Sequence, residues 1–182
     1  MNIVETGIDG LVVLEPKVIE DPRGYFMESY RYDVLKSKGI NIHFVQDNQS
    51  KSRRGVLRGL HYQNAPHQQT KLIRVLSGEI LDVVVDLRKS KATFGKSFTI
   101  ALSAENKKQL LVPSGFAHGF LVLSETAEIL YKCDEFYHPE AEGGIMYDDP
   151  ALKIDWGMKK ENLILSQRDL QHPTLEKAIF NF

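Results

Sequence analysis

An all-β barrel or sandwich is the fold class this sequence predicts, and three observations predict it. Apolar residues recur at every second position in most runs, the runs are short and separated by turn residues, and only one stretch reads as helix. The chain has 182 residues, 42% of them hydrophobic, which suits one domain with a sizeable core. A formal net charge of -1 gives no reason to expect a nucleic acid or an anionic membrane as partner. A lone cysteine, Cys133, cannot form an internal disulfide. The N-terminal MNIVETGIDG does not read as a secretory signal, and no apolar run is long enough to span a bilayer. A reducing cytoplasm is the expected compartment.

Taken in order, DPRGYFMESY opens with a turn signal and sets Phe26, Glu28 and Tyr30 on one strand face. YDVLKSKG reads as a short helix stopped by Gly39. VQDNQS sets Gln46 and Asn48 on one face, as amides suited to a hydroxyl-rich ligand. In VLRGLHYQ, strict alternation sends Arg58 and His61 to opposite faces, and both reach one cavity only if Gly59 permits a bulge. LSGEI reads as a hairpin through Ser77-Gly78. EILDVVVDLR groups Leu81, Val83, Val85 and Leu87, with Asp82 and Asp86 opposite. SFTIALS groups Phe98, Ile100 and Leu102. AEILYKCDEFYHP puts Ile129, Tyr131, Cys133, Glu135 and Tyr137 on one face, a more polar face than a core needs. From about Asp155 the pattern reads as a C-terminal appendage with helical turns over the barrel.

VPSGFAHGF carries the spacing P-x-G-x-x-H, which resembles the second half of the cupin signature and makes His118 a candidate metal ligand. The first cupin motif supplies two histidines and a glutamate. Here RGLHYQNAPHQQTK has His61 at the first position, Gln63 at the second, and Lys71 where an acidic ligand belongs. A divalent ion needs several deprotonated donors converging on one point, and an ammonium repels it. The ligand set reads as dismantled, and no metal is expected. His67, in a polar loop beside Pro66, reads as a solvent-exposed histidine.

A histidine, a lysine and tyrosines in a polar barrel suggest proton transfer: His61 as base, Lys71 steadying negative charge on oxygen, Tyr131 returning a proton. Taken singly, each tyrosine reads better as packing with its hydroxyl in water. Arg23, Arg58 and Arg168 could reach a phosphate. Taken singly, each reads better as a solvated charge.

Six segments carry a further resemblance: DPRGYFMESY, FVQDNQSKSRRGVLRGLHYQ, QTKLIRVLSGEILDVVVDLRKS, VPSGFAHGF, YKCDEFYHPEAEGG and LSQRD, in order from Asp21 to Asp169. Through them the chain resembles the dTDP-4-dehydrorhamnose 3,5-epimerase family of cupin-fold enzymes. The resemblance implies a cupin or jelly-roll barrel with a few short peripheral helices. It implies that His61 is the general base, Asp169 the carboxylate orienting it, Lys71 the group beside the C4 ketone, and Tyr131 the proton donor on the other side of the ring. It further implies substrate contacts at Arg23, Phe26, Glu28, Gln46, Asn48, Arg58, Lys71, His118, Tyr137, Glu142 and Arg168, and no cofactor. The substrate would be a dTDP-4-keto-6-deoxyhexose. The partner would be a second copy: Arg23 serves the neighbouring subunit's site in a homodimer with exchanged N-terminal strands. Arg168 stands where the family commonly has lysine, and Phe98 and Gly157 replace an expected tryptophan and proline.

The chemistry is coherent. C3 and C5 flank the same carbonyl, so removing either proton gives an enolate on the same oxygen, and reprotonation from the opposite face inverts the centre. Three other readings are open: an epimerase acting at one centre in another dTDP-deoxysugar pathway, a metal-dependent cupin oxygenase, and a non-catalytic sugar-binding barrel.

Overall fold

The computed structural model describes all 182 residues. Its strands are β1 (Asn2–Glu5), β2 (Val12–Glu15), β3 (Val18–Asp21), β4 (Gly24–Met27), β5 (Gln46–Arg53), β6 (Leu57–Gln63), β7 (Lys71–Ser77), β8 (Glu79–Asp86), β9 (Ser97–Ser103), β10 (Gln109–Val112), β11 (Phe116–Val122), β12 (Thr126–Cys133) and β13 (Glu142–Gly144). One α-helix, α1 (Tyr32–Ser37), lies between β4 and β5 and ends just before Gly39, as its sequence predicts. Turns of 3-10 helix occur at Pro139–Ala141, Lys160–Asn162 and Asp169–Gln171. The strands form a six-stranded sheet in the order β1-β2-β10-β7-β12-β5, a five-stranded sheet in the order β13-β6-β11-β8-β9, and the separate hairpin β3-β4. The all-β jelly-roll expectation holds.

Strand β8 shows how the layers arise. Its run is apolar on both faces, as a strand covered on both sides must be. Ile80 and Val84 enter the cluster between the sheets, with Ile73, Val75, Leu110, Phe120 and Ile129. Val83, Val85 and Leu87 face the other way, into a cluster capped by Ile145 and Tyr147, which follow β13, and by Trp156 and Phe180 of the C-terminal segment. On the outer face of the six-stranded sheet, Val12, Leu14, Leu72 and Leu111 pack under Leu35 of α1.

The inner face is not apolar throughout. By the period of two, Lys71 points with Ile73 and Val75, Asp82 with Ile80 and Val84, and Tyr131 with Ala127 and Ile129. The antiparallel ladders set Tyr131 opposite Asn48 and Ile73, Cys133 opposite Gln46 and Lys71, and His118 opposite His61. One end of the interior is therefore oily and the other polar.

The structure corrects two local readings. Ser77-Gly78 does not close a hairpin: β7 pairs with β10 and β12, and β8 pairs with β9 and β11. The turn is a corner that carries the chain from one sheet to the other, with Gly78 at φ +78°. Asp82 and Asp86 are opposite the apolar set, but both are fully buried. Asp86 accepts hydrogen bonds from Arg88 and from Thr93, while Asp82 meets His118.

Candidate active site

At the polar end lies a cavity of about 650 Å³ whose lining includes Arg58, His61, Lys71, His118, Tyr131, Arg168 and Asp169. A smaller space of about 210 Å³ shares His61, Lys71 and Tyr131 with it and adds Gln46, Asn48, Tyr137 and Glu142. Arg58 and His61 do share one cavity. The ladder between β11 and β6 shifts register, two residues from His118 to Phe120 spanning three from His61 to Arg58. Gly59 is the extra residue. It adopts φ +122° and lies so close to the His118-Gly119 backbone that a Cβ would collide.

His61, on β6, holds Asp169 of the C-terminal segment: Nε2 is 2.7 Å from Asp169 Oδ1. An ionised carboxylate only accepts, so Nε2 carries the proton and Nδ1 is left with a lone pair. Burial alone would raise the Asp169 carboxyl. The hydrogen bond and charge of His61, helped by His172 and Ser166, outweigh burial and hold it below the usual range.

Lys71 and Tyr131 belong to the other sheet, on β7 and β12. Burial pushes the Lys71 ammonium down, against the pull of Cys133, Glu142 and Asp82. Burial pushes the Tyr131 phenol up, aided by Cys133 and Glu142 and opposed by Arg58, so it stays protonated at neutral pH. His118 Nε2 lies 2.9 Å from the fully buried Asp82. Arg58 donates to Ser52 Oγ at 3.1 Å.

At the mouth, the Tyr137 hydroxyl donates to Glu142 Oε2 at 2.6 Å, and Arg168 pairs with the other Glu142 oxygen. Burial would raise the Glu142 carboxyl, but Tyr137 and Arg168 bring it below its ordinary value. Gln46 donates to Asn48 Oδ1 at 3.0 Å, fixing the amides as a pair.

Three of the sequence-nominated residues lie elsewhere. Arg23 is exposed on the β3-β4 turn and bound to Asp21. Phe26, 65% exposed, and Glu28 line a separate hollow with Met1, Lys17, Ile19, Arg31 and Val34. Within one chain they do not meet the cavity.

The donor set at the cupin metal positions does not fit an ion. The Gln63 amide is already committed to the backbone, donating to the carbonyls of His67 and Phe136 and accepting from the His138 amide. Lys71 brings an ammonium to the same place. Donor atoms also come within 4.8 Å of one another in two other groups, His61-Asp169-His172 and His67-Glu135-His138. In the first, the Asp169 oxygen is already bonded to His61. In the second, His67 is half-buried and not solvent-exposed as its loop suggests: its ring stacks on His138 at 3.5 Å. Stacked rings send their in-plane lone pairs side by side instead of to one point.

Two site residues escaped the sequence reading. Asp82 carried a signal, a carboxylate inside a run buried on both faces, which must have a partner. His172, beside Asp169, lies in the aperiodic QRDLQHP stretch and carried none.

Comparison with known proteins agrees with this picture. Residues 5–177 match the family model described as dTDP-4-dehydrorhamnose 3,5-epimerase. A dTDP-4-dehydrorhamnose 3,5-epimerase of Shigella flexneri is 50% identical over 93% of this chain and 93% of its own. The crystal structure of the dTDP-4-dehydrorhamnose 3,5-epimerase of Elizabethkingia anophelis NUHP1 superposes with a TM-score of 0.93 at 50% identity, covering 97% of both chains. That of dTDP-6-deoxy-D-glucose-3,5-epimerase from Legionella pneumophila Philadelphia 1, in complex with dTDP-4-keto-L-rhamnose, gives 0.93 at 48% identity over 97% of this chain and 93% of its own.

Proposed function

The chain belongs to the dTDP-4-dehydrorhamnose 3,5-epimerase family, and on that premise we propose that it inverts C3 and C5 of dTDP-4-dehydro-6-deoxy-D-glucose to give dTDP-4-dehydro-L-rhamnose. The observation that carries the reading is that His61 and Tyr131 come from different sheets and line the same cavity. A base and an acid on opposing walls are what inversion at carbon requires.

His61 Nδ1 takes the proton from C3 or C5, and Asp169 keeps the ring oriented and steadies the imidazolium that forms. The electron pair moves onto the C4 oxygen, where the Lys71 ammonium meets it. Tyr131 then delivers a proton from the other side, and before the second centre reacts the His61 imidazolium gives up its proton to solvent and the phenolate takes one back. Acid–base assistance of this kind supplies about 10²- to 10⁴-fold, and electrostatic stabilisation of the enolate carries much of the rest. No covalent intermediate is needed.

His118, held by Asp82, and the Gln46-Asn48 amide pair are polar contacts for the ligand. Arg58 and Arg168 are the cations for the pyrophosphate, and Tyr137 and Glu142 border the sugar. Arg23, Phe26 and Glu28 serve the site of a second copy in a homodimer. In support, their hairpin exposes Ile19, Tyr25 and Phe26, each more than half accessible, apolar surface that asks for a cover. No helix is long and apolar enough to cross a membrane, and a cytoplasmic location suits the buried free Cys133.

The test is the reaction in D₂O. Deuterium at both C3 and C5 with rhamno-configured product supports the double epimerase. Label at one position would make it a single-centre enzyme, and no label in either would end the proton-transfer reading.

A further inference from the structure

His172 follows the Asp169–Gln171 turn, next to the pair, and the reaction as proposed gives it no task. Its imidazole meets that of His61 edge to face, centroids 5.3 Å apart and planes at 77°. Its Nε2 lies 3.5 Å from Asp169 Oδ1, the oxygen that His61 Nε2 approaches to 2.7 Å. One carboxylate oxygen thus faces two imidazoles. The His172 side chain is 12% exposed, and its Nε2 is buried without a hydrogen-bond partner, a condition folded proteins seldom tolerate without cause. The room for the ring comes from Gly144. It stands opposite His61 in the β13-β6 ladder, and a Cβ there would run into the His172 imidazole.

We infer that His172 is a positioning residue: its ring braces the His61–Asp169 contact, and it has to remain neutral for Asp169 to serve His61 alone. The inference rests on the proton-transfer reading given above. The groups facing His172 are His61 from β6, Arg168 and Asp169 from its own segment, and Glu142 from β13. Burial pushes the His172 imidazole down, and the charges of His61 and Arg168 add to this. Asp169 and Glu142 pull the other way without overcoming it. A protonated His172 would compete for Asp169 Oδ1. It would also set a second cation beside the imidazolium that His61 becomes as it accepts the substrate proton. Two coupled rings therefore govern the acid side of the reaction, and both must be unprotonated.

His172→Phe keeps a flat ring of similar size and removes both nitrogens. In wild type, log kcat/KM falls on the acid side with a limiting slope of about two, and in His172→Phe with a slope of about one. On the neutral plateau the variant loses about 5- to 30-fold in kcat with little change in KM, the mark of a weakened transition-state contact and not of lost binding. A slope of one in wild type, or a variant profile superimposable on it, overturns the inference. Histidine ring NMR on the wild-type protein decides independently of whether the variant folds. His61 and His172 titrating with mutually dependent, biphasic curves support the coupling, and two independent single-proton curves overturn it. That titration needs no substrate. An enzyme inactive in D₂O would fell the proposed reaction and leave the coupling to be judged on its own.

Discussion

Replacing Asp169 by asparagine keeps the shape of the residue and removes its charge. The wild-type contact is short and dry: 2.7 Å between His61 Nε2 and Oδ1, with side chains 25% and 5% exposed. When His61 takes a proton from carbon, as the proposed reaction requires, the carboxylate faces a new cation, and that interaction exists only from the transition state onward. A hydrogen bond to a charged group is worth about 1.5–3 kcal/mol net, and the low exposure puts this one in the upper part, about 2–3 kcal/mol. That predicts a fall in kcat of about 30- to 150-fold. The larger loss applies if the asparagine turns its NH₂ toward Nε2, because the ring must then move its proton to Nδ1, the atom that has to be free. The assay is the initial rate of deuterium uptake at C3 and C5 at pH 7. A second consequence concerns stability. The Asp169 carboxyl lies below its ordinary value in the folded protein. Its contribution is therefore complete above the unfolded value, about 4, and drains away as pH falls toward the folded one. Wild type should lose its advantage over Asp169→Asn from about pH 4 downward. An Asp169→Asn enzyme within about threefold of wild type in kcat, with an identical acid-unfolding curve, would refute the reasoning.

Four more outcomes are expected. Tyr131→Phe should retain deuterium uptake from the His61 side while inversion, measured as rhamno-configured product, falls about 10²- to 10⁴-fold; equal losses of both would remove the phenol from its role. Lys71→Met should lower kcat about 10²- to 10³-fold, yet melt no lower than wild type at pH 7, because the ammonium is disfavoured by burial; near-normal turnover would show that the enolate is stabilised elsewhere. Arg23→Ala and His61→Ala should each be weak alone, and refolding them together should restore activity, since one site of a mixed dimer is then intact; no recovery in a verified mixed dimer would refute the exchange of Arg23. Gly59→Ala should destabilise the fold by about 1–3 kcal/mol in denaturant titration, since the φ of +122° and the His118-Gly119 backbone leave a Cβ no place; an unchanged midpoint would mean that the bulge relaxes freely.

What could be read in advance divides along physical lines. Parity along a strand is local, so Gln46 with Asn48, and Tyr131 with Ile129, were legible from residue types alone. The possibility of a bulge was legible too, since Gly59 interrupts an otherwise regular run, although only the partner strand shows that it occurs. The Ser77-Gly78 turn was misread because a tight turn looks the same whether it joins paired strands or turns a corner between sheets. His67 reads as a loop residue until His138, distant along the chain, supplies the ring that covers it. The C-terminal segment has no period, so the packing of His172 beside His61 depends on contacts that no local pattern encodes. Arg23, Phe26 and Glu28 are assigned to a neighbouring subunit's site only through resemblance, and within one chain they stay apart from the cavity.

The same barrel positions that could converge on a metal ion hold an amide, an imidazole tied to a carboxylate, and an ammonium. For chemistry at carbons flanking a ketone this set is self-consistent. The enolate oxygen needs positive charge, and in the proposed reaction Lys71 supplies it on a covalent tether, with burial stripping away the water that would otherwise screen it. The cost is a cation that the interior disfavours; Cys133, Glu142 and Asp82 offset it from nearby, and the two carboxylates are each engaged by a second group, Arg168 or His118. Neither carboxylate is then free to approach the ammonium closely enough to quench it. A neutral Glu142, as in Glu142→Gln, should therefore lower the Lys71 titration further and weaken catalysis at high pH first. If the basic limb of kcat/KM stays where it is in wild type, the two charges are not coupled, and Cys133 and Asp82 carry the offset.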